Sequence, residues 1–156
     1  MATSSLPKAP RLPPRWIIRT AWSVHRGIYR TFRGRVGLWR PRPNGWGTLR
    51  LTTTGRRSGR QRGVILGYVE DGPNLVTLAM NGWSSPEPAW WLNLQADPDA
   101  SVELKSGSRT VRAREATGQE RDRLWNVVGK HSGYGDLDAF AVRRSGQTAV
   151  VVLEPR

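Results

Sequence analysis

Residues 51–62 read Leu-Thr-Thr-Thr-Gly-Arg-Arg-Ser-Gly-Arg-Gln-Arg. The three consecutive threonines are β-branched and favour a strand, and the residues after them predict a glycine-bracketed turn with fixed positive charge. Such a turn can present backbone N–H groups and guanidinium groups to one anion, so an acidic, phosphorylated ligand is the first functional hypothesis. A solvated basic loop and a nucleic-acid contact are the alternatives that composition alone leaves open.

Short strand patterns extend outward from this stretch. Six segments carry them: 48–54, 63–70, 74–80, 101–104, 109–116 and 148–153. Helices are predicted over 88–96 and from residue 118 onward, with Thr117 and Glu120 as a capping box. The chain is therefore predicted to be α+β, with about six mostly antiparallel strands in a barrel-like sheet and two or three flanking helices.

Positive charge is concentrated at the front of the chain. The formal net charge is +13 over 156 residues, and residues 1–62 contain fifteen Lys and Arg but no Asp or Glu. We expect residues 1–47 to form a basic arm and an amphipathic helix, and residues 48–156 to form the barrel domain. A basic segment of this kind can bind nucleic acid, an anionic membrane surface or an acidic ligand.

Residues 15–33 have the period of a basic amphipathic helix. Arginines occupy one side of it and apolar and aromatic side chains the other, which is the composition of a segment lying on a membrane surface. A helix packed on its own domain is the alternative. The sequence has no run of about 18 uncharged apolar residues and no signal-peptide pattern at its start. The expected location is the cytoplasm, with peripheral contact at the inner membrane face through 15–33.

Cysteine and metal chemistry are not expected. The sequence has no cysteine, which excludes a disulfide scaffold, a thiolate nucleophile and thiolate metal sites. His25 and His131 have no neighbouring ligand cluster in the sequence, so no metal site is predicted. The glycine spacing of the arginine-rich turn matches neither a P-loop nor a Rossmann fingerprint.

Several sequence blocks, in their order and spacing, resemble the deazaflavin (coenzyme F420)-dependent nitroreductase and quinone reductase family. They lie at 51–62, 68–72, 88–94, 96–98, 112–121 and 151–155. The resemblance covers about residues 48–155 and implies a split β-barrel that binds reduced F420, with FMN as the alternative cofactor on the same fold. F420 carries a phosphodiester and an oligoglutamate tail, so it is a polyanion that suits the arginine-rich turn.

The resemblance also implies a set of cofactor-binding residues. Arg57, Ser58 and Arg62 would hold the phosphate and tail, with Arg56 and Arg60 in support. The ring would lie against Val64 and Ile65, and the helix that closes over the cofactor would contribute Trp90 and Asn93. Without the family, Trp90 reads as a packing aromatic of the core.

Two regions depart from the family pattern. Where the family commonly has Ser-Lys-Gly-Gly, residues 80–83 are Met-Asn-Gly-Trp. Asn81 and Gly82 are assigned to the cofactor site, and Met80 and Trp83 to the acceptor pocket. The missing lysine shifts anion binding onto the arginines of the turn.

The second departure concerns three tyrosines that line the acceptor pocket in several family members. His131, Tyr134 and Leu137 stand at these positions. Tyr134 is the first candidate for a proton donor or acceptor-binding hydroxyl, and His131 is the second. Leu137 is assigned to the acceptor pocket.

The implied function is hydride transfer from reduced F420 to a small-molecule electron acceptor such as a quinone, an activated alkene or a nitroaromatic compound. The alternatives are an FMN-dependent oxidoreductase and a basic module that binds a membrane or nucleic acid. A nucleic-acid partner is not expected for the enzyme, and the oligomeric state is left open.

Overall fold

The computed structural model describes Trp16, Thr20, residues 37–131 and residues 136–156. Within these residues the chain forms six strands and three helices. In chain order they are β1 (Gly47–Thr54), β2 (Gln61–Asp71), β3 (Asn74–Leu78), α1 (Ala89–Ala96), β4 (Asp99–Leu104), β5 (Gly107–Glu115), α2 (Gly118–His131), α3 (Leu137–Ala141) and β6 (Val150–Pro155). Trp16 and Thr20 are helical, and the rest of the predicted helix over 15–33 lies outside the described residues.

The six strands form a closed barrel in the order β1-β2-β3-β6-β5-β4. Every neighbouring pair is antiparallel. Each strand pairs with a neighbour on both sides, which limits the exposed sheet edge available for strand-by-strand aggregation. The predicted α+β class with six antiparallel strands and flanking helices is confirmed.

Alternation along the strands fills the barrel with apolar side chains. In β1, Leu49, Leu51 and Thr53 are fully buried, while the residues between them lie on the outer face. The interior cluster gathers side chains from all six strands, and α1 adds Trp90, Trp91 and Leu94 to it. Helix α1 therefore packs over one end of the barrel.

A second apolar cluster lies between the outer barrel face and the two later helices. Strands β3 and β6 contribute Val76, Leu78, Val150 and Val152, which pack against helices α2 and α3 through the buried residues Leu124, Val128, Leu137 and Phe140. Burial of this face is what holds the helices on the barrel, since hydrophobic area removed from water is the main stabilising term.

The predicted capping box at the start of α2 is wrong in one respect. The Thr117 carbonyl accepts from the backbone N–H of Arg121, as expected for the residue that precedes the helix. The Glu120 carboxylate, however, does not turn back to Thr117. Both of its oxygens accept from Arg114 of β5, at 2.7 and 2.8 Å. A charge-assisted bidentate bond is stronger than a capping bond to a neutral N–H.

Candidate active site

Three segments meet at the end of the barrel where β1 ends and β2 begins. The first is residues 55–62, which comprise the turn and the first two residues of β2, hereafter the arginine turn. The second follows β3, which runs antiparallel to β2 and therefore points toward the barrel end at which β2 begins. The third is α1, which reaches the arginine turn through Asn93. Apart from Val64 and Ile65, which lie further along β2, the predicted cofactor residues belong to these segments, as does part of the predicted acceptor pocket.

The arginine turn is closed by its own backbone. The Gly55 N–H donates to the Arg60 carbonyl at 2.8 Å, and the Gly59 N–H donates to the Gly55 carbonyl at 2.7 Å. Gly59 has a φ of +64°, which an L side chain rarely adopts. A Cβ on Gly55 would lie 3.0 Å from the Ser58 Oγ, so this position leaves little room for a side chain.

Most backbone donors of the arginine turn already have acceptors within the protein. The N–H of Arg56 donates to Asn93 Oδ1, that of Ser58 to the Gly55 carbonyl, and that of Arg60 to Ser58 Oγ. Within the described part of the chain, Arg57 N–H is the one donor of residues 55–60 without a partner. An anion at this turn would therefore be bound mainly by guanidinium groups and only slightly by the backbone.

The guanidinium groups of Arg57, Arg60 and Arg62 are exposed and concentrated in a short segment. Over residues 37–131 and 136–156, none of the three forms an ion pair with a carboxylate. Arg62 Nη2 makes a long contact of 3.5 Å with Ser58 Oγ. Several arginines this close together create a strongly positive surface, which is the electrostatic environment that attracts multiply charged anions.

Another arginine lies beside the base of the arginine turn. Arg50 of β1 places its guanidinium over Gly63 of β2, where a Cβ would lie only 2.8 Å from Nη2. Its Nη1 donates to Glu103 at 2.6 Å, so its charge is compensated. Arg50 therefore lies near the arginine turn, but Glu103 balances its positive charge.

Val64 and Ile65, both predicted to contact the ring, lie on opposite faces of β2. Val64 pairs with Leu51 and points into the barrel, whereas Ile65 pairs with Arg50 on the outer face. Val64 is half-buried and Ile65 is buried. A planar ring on one face of the strand can touch only one of these two side chains.

The segment after β3 forms a tight turn across Asn81 and Ser84. The Ser84 N–H donates to the Asn81 carbonyl at 3.1 Å, and Ser84 Oγ donates to the same oxygen at 2.6 Å. Gly82 and Trp83 have φ values of +58° and +60°, the positive signs that a type I′ turn requires at both central positions. Asn81 and Gly82 are exposed at the tip, while Trp83 is buried.

The predicted acceptor-pocket residues come together in the outer apolar cluster. Trp83 and Leu137 are each 4% exposed, and Met80 packs against them. Trp83 stacks on Phe140 of α3, with ring centroids 5.8 Å apart and planes 15° apart. The indole N–H of Trp83 is buried and has no hydrogen-bond partner within the described chain.

A buried arginine braces this segment at both ends. The Arg144 side chain is only 1% exposed. Its Nη1 donates to the Ala79 carbonyl at 2.5 Å and to Thr148 Oγ1 at 3.2 Å, and its Nη2 pairs with Glu87 at 2.9 Å. Residues 79–87, which include the turn from Asn81 to Ser84, are therefore fixed to residues 144–148, which follow α3.

Of the two predicted proton donors, Tyr134 and His131, only His131 lies within the described residues. His131 is the last residue of α2, is half-buried, and has its Nδ1 2.9 Å from the Val127 carbonyl oxygen. A carbonyl can only accept, so Nδ1 carries a hydrogen and Nε2 is left as the ring nitrogen that can face other groups.

Comparison with known proteins identifies the family. The family model described as F420H2-dependent quinone reductase matches residues 22–155. The chain belongs to this family. An F420H2-dependent quinone reductase of Mycobacterium tuberculosis is 30% identical over 135 residues, which cover 85% of this chain and 89% of that protein.

Solved structures agree with this F420H2-dependent reductase assignment. A structure described as an F420H2-dependent reductase (FDR-A) superposes with a TM-score of 0.64 at 26% identity, covering 76% of this chain and 99% of that one. Another, described as a domain-swapped dimer, gives a TM-score of 0.65 at 26% identity and covers 91% of this chain and all of that one. The predicted split-barrel architecture and F420 as cofactor are confirmed, and F420 is favoured over the alternative FMN.

Sequence reasoning placed Trp90 and Asn93 in contact with the cofactor of this F420H2-dependent reductase, and the structure buries both side chains. Trp90 is 7% exposed and meets Trp91 edge to face at 6.4 Å, within the interior cluster. Asn93 is 5% exposed and bonds to Thr53 and Arg56. Direct contact of either with the cofactor stays a prediction.

Thr53 and Arg144 were not predicted as functional residues of this F420H2-dependent reductase. Thr53 could have been found, because the inward positions of β1 are Leu49, Leu51 and Thr53, and a hydroxyl at a fully buried position needs a partner. Arg144 gave no such signal, since it follows another arginine in a polar stretch that predicts exposure. Among the described residues no group of three or more acidic or histidine side chains could hold a metal ion, and no helix is long and apolar enough to cross a membrane.

Proposed function

We propose that this protein is an F420H2-dependent reductase whose acceptor is a quinone. The observation that carries the proposal is the arginine turn at the barrel end beside α1, where the exposed Arg57, Arg60 and Arg62 form no ion pair with any carboxylate that the structure describes. Such a site fits the phosphodiester and oligoglutamate of F420 better than the single phosphate of FMN. The family and the M. tuberculosis relative, both described as F420H2-dependent quinone reductases, support quinones as the first acceptor class.

Binding of the cofactor is assigned mainly to the turn. Arg57 and Arg62 would hold the phosphate and tail with Ser58, and Arg60 and Arg56 would add charge at its edge. Asn81 and Gly82 lie exposed at the same barrel end and would border the cofactor. When bound, reduced F420 supplies a hydride to an electron-poor acceptor. The protein supplies orientation, exclusion of water and a proton.

The proton is assigned first to Tyr134 and second to His131. In His131 the proton would leave from Nε2 of the doubly protonated ring, because Nδ1–H donates to the Val127 carbonyl. We expect Tyr134→Phe to lower kcat for quinone reduction by about a hundredfold, the low end for general acid catalysis. An unchanged kcat in that variant, with a reduced kcat in His131→Gln, would reverse the assignment.

The acceptor side is assigned to Met80, Trp83 and Leu137. Their shared apolar cluster suits a flat, mostly apolar acceptor such as a quinone ring. Activated alkenes and nitroaromatic compounds are the other acceptors that the same hydride chemistry serves. We place the protein in the cytoplasm, with residues 15–33 in peripheral contact with the membrane, where lipid-soluble quinones are found.

Steady-state kinetics with F420H2 and a soluble naphthoquinone test the proposal. We expect the wild type to reoxidise F420H2, followed by the return of F420 fluorescence. Arg57→Ala and Arg62→Ala should each raise the KM for F420H2 about tenfold with little change in kcat, since each removes a charged hydrogen bond made equally in ground and transition states. The control is Arg112→Ala, which removes an equal charge from β5, two strands away from β1.

The kinetic test has a clear contrary result. No quinone-dependent oxidation of F420H2 by the wild type would contradict the activity. Equal KM values in the three arginine variants would instead contradict the assignment of the cofactor anion to the turn.

A further inference from the structure

The Asn93 side chain is buried in a position that joins α1 to the arginine turn. Its Oδ1 accepts from the backbone N–H of Arg56 at 3.2 Å and from Arg56 Nη1 at 3.3 Å. Its Nδ2 donates to Thr53 Oγ1 at 3.1 Å. The amide orientation follows from these neighbours, because a flipped amide would set its NH2 group against two donors of Arg56.

Thr53 is the other half of this arrangement. It is fully buried, and its Oγ1 donates to the Arg62 carbonyl at 3.4 Å, a long contact, while it accepts from Asn93. Arg56 enters the turn and Arg62 leaves it. The two side chains therefore contact the chain on both sides of the turn, from inside the barrel end.

Three of the four hydrogen bonds that the Asn93 amide can form are made within the protein. A carbonyl oxygen has two lone pairs, and both are directed at Arg56. A buried amide that loses its partners incurs a large desolvation cost, so these bonds are not readily exchanged. The position of Asn93 beside the proposed cofactor site is thus better explained by its hydrogen bonds to Arg56 and Thr53 than by direct contact with F420.

We propose that Thr53 and Asn93 are a positioning pair that fixes the arginine turn in its anion-binding conformation. The inference rests on the proposed F420 site. An ordered turn costs less conformational entropy when the anion binds, so the pair raises affinity without touching the ligand. Thr53→Val keeps the side-chain shape and removes the hydroxyl, and Thr53→Ser keeps the hydroxyl and removes a methyl group.

Thr77 provides a matched control. It also lies inside the barrel, is 2% exposed, and donates through Oγ1 to a backbone carbonyl of β2, that of Gly67, at 2.8 Å. Among the described residues, no hydrogen bond joins its side chain to the arginine turn. Thr77→Val therefore removes a buried hydrogen bond that is shorter than either bond of Thr53. Its Kd for F420 shows how much a general loss of stability weakens cofactor binding.

Two measurements on the full-length proteins test the pair. The first is the Kd for F420, from quenching of its fluorescence. The second is the rate of limited trypsin cleavage within residues 56–62, with the cut sites identified by mass spectrometry. We expect Thr53→Val to raise both the Kd and the cleavage rate about tenfold, the effect of one lost buried hydrogen bond. Asn93→Leu, which removes the amide, should do the same if Thr53→Val does not fold.

The two conservative variants separate positioning from stability. We expect Thr53→Ser to lower the melting temperature and to keep the wild-type Kd within about twofold, and Thr77→Val to behave in the same way. Equal Kd values and equal cleavage rates in Thr53→Val and Thr77→Val would overturn the pair. If the wild type binds no F420, the proposed function fails, and the cleavage rates alone decide whether the pair holds the turn.

Discussion

Trp83 occupies a backbone conformation that glycine adopts more easily. Its φ is +60°, and a bulky residue there costs about 1–3 kcal/mol. Burial of the indole and its stacking on Phe140 offset that cost. The indole therefore makes contacts in the outer apolar cluster that a glycine in this turn could not make.

Substitutions at Trp83 test this reading of the turn. We expect Trp83→Gly to be more stable than Trp83→Ala by about 1 kcal/mol, because alanine retains a Cβ at positive φ and glycine does not. Both should be less stable than the wild type, by about 2–4 kcal/mol, since a buried aromatic side chain is lost. Urea denaturation measures the differences.

The same variants probe the acceptor pocket. Trp83→Gly should lower the KM for bulky naphthoquinones relative to small benzoquinones, because it opens space beside Met80 and Leu137. If Trp83→Ala is as stable as Trp83→Gly, the turn does not have the positive φ described above. If the KM ratio is unchanged, Trp83 does not border the acceptor.

Among the elements, helix α2 depends on ion pairs as well as apolar contacts. Arg114 of β5 binds Glu120 of α2 and also Glu154 of β6. Arg123 of α2 binds Asp71 at the end of β2 through two bonds of 2.8 and 2.9 Å. Hydrogen bonds from Arg114 hold the pKa of Glu120 below its ordinary value, and those from Arg123 lower the pKa of Asp71.

The lowered pKa values predict the effect of acid on the fold. A carboxylate whose pKa is lower in the folded state stabilises the protein above its unfolded pKa, near 4, and loses that contribution as the pH falls through the folded pKa. Glu120→Gln should therefore reduce the free energy of unfolding at pH 7 by about 0.5–1 kcal/mol, because the pair is partly exposed. At pH 3 the difference from the wild type should shrink.

Urea denaturation at the two pH values checks this expectation. Glu115→Gln removes the same charge from β5, and Glu115 makes no ion pair with any residue that the structure describes, so it should change stability less at pH 7. A Glu120→Gln effect that is the same at pH 3 as at pH 7 would show that its carboxylate charge does not stabilise α2.

The β1 strand and the arginine turn could be predicted from the sequence, whereas the short helix α3 could not. The β1 strand and the arginine turn were predicted from local signals, namely β-branched alternation and glycines in a charged segment. Helix α3 was not located, because its five residues are too few for a 3.6-residue period to stand out. It is stabilised by the Asp136 cap and by burial of Leu137 and Phe140.

The site was predictable where residues carry local chemistry and less so where burial decides their role. The exposed arginines are found by composition, and the structure leaves them exposed. Asn93 is predicted to contact the cofactor, which stays a prediction, and its hydrogen-bond partners come from β1 and the turn, about 40 residues earlier. Such long-range pairing cannot be read from a local pattern.

At the scale of the whole molecule, charge is divided unevenly along the chain. The excess of +13 belongs to the first 62 residues, and the remainder is nearly balanced. Residues 15–33 combine arginines with aromatic side chains, and each arginine near an anionic surface contributes about 1 kcal/mol. We propose that this segment brings the enzyme to the lipid phase in which quinones dissolve.

Vesicle sedimentation tests the membrane contact. We expect the full-length protein to bind vesicles with anionic phospholipid and to bind neutral vesicles weakly. One variant replaces four arginines of this segment by glutamine, namely Arg15, Arg19, Arg26 and Arg30, and its affinity for anionic vesicles should fall by about a hundredfold or more. The control variant removes four positive charges elsewhere by the same substitution, at Lys105, Arg109, Arg112 and Lys130. Equal loss in both variants would mean that net charge, and not this segment, drives the association.

The most direct test of the central proposal is the binding of F420 itself. Fluorescence titration of the wild-type protein with F420 and with FMN, at low and at moderate salt, compares the two cofactors at one site. We predict saturable quenching by F420, binding at least tenfold tighter than that of FMN, and weakening by salt because several arginines contact the anion. Tight FMN binding without F420 quenching would contradict the assignment of the arginine turn to the deazaflavin cofactor.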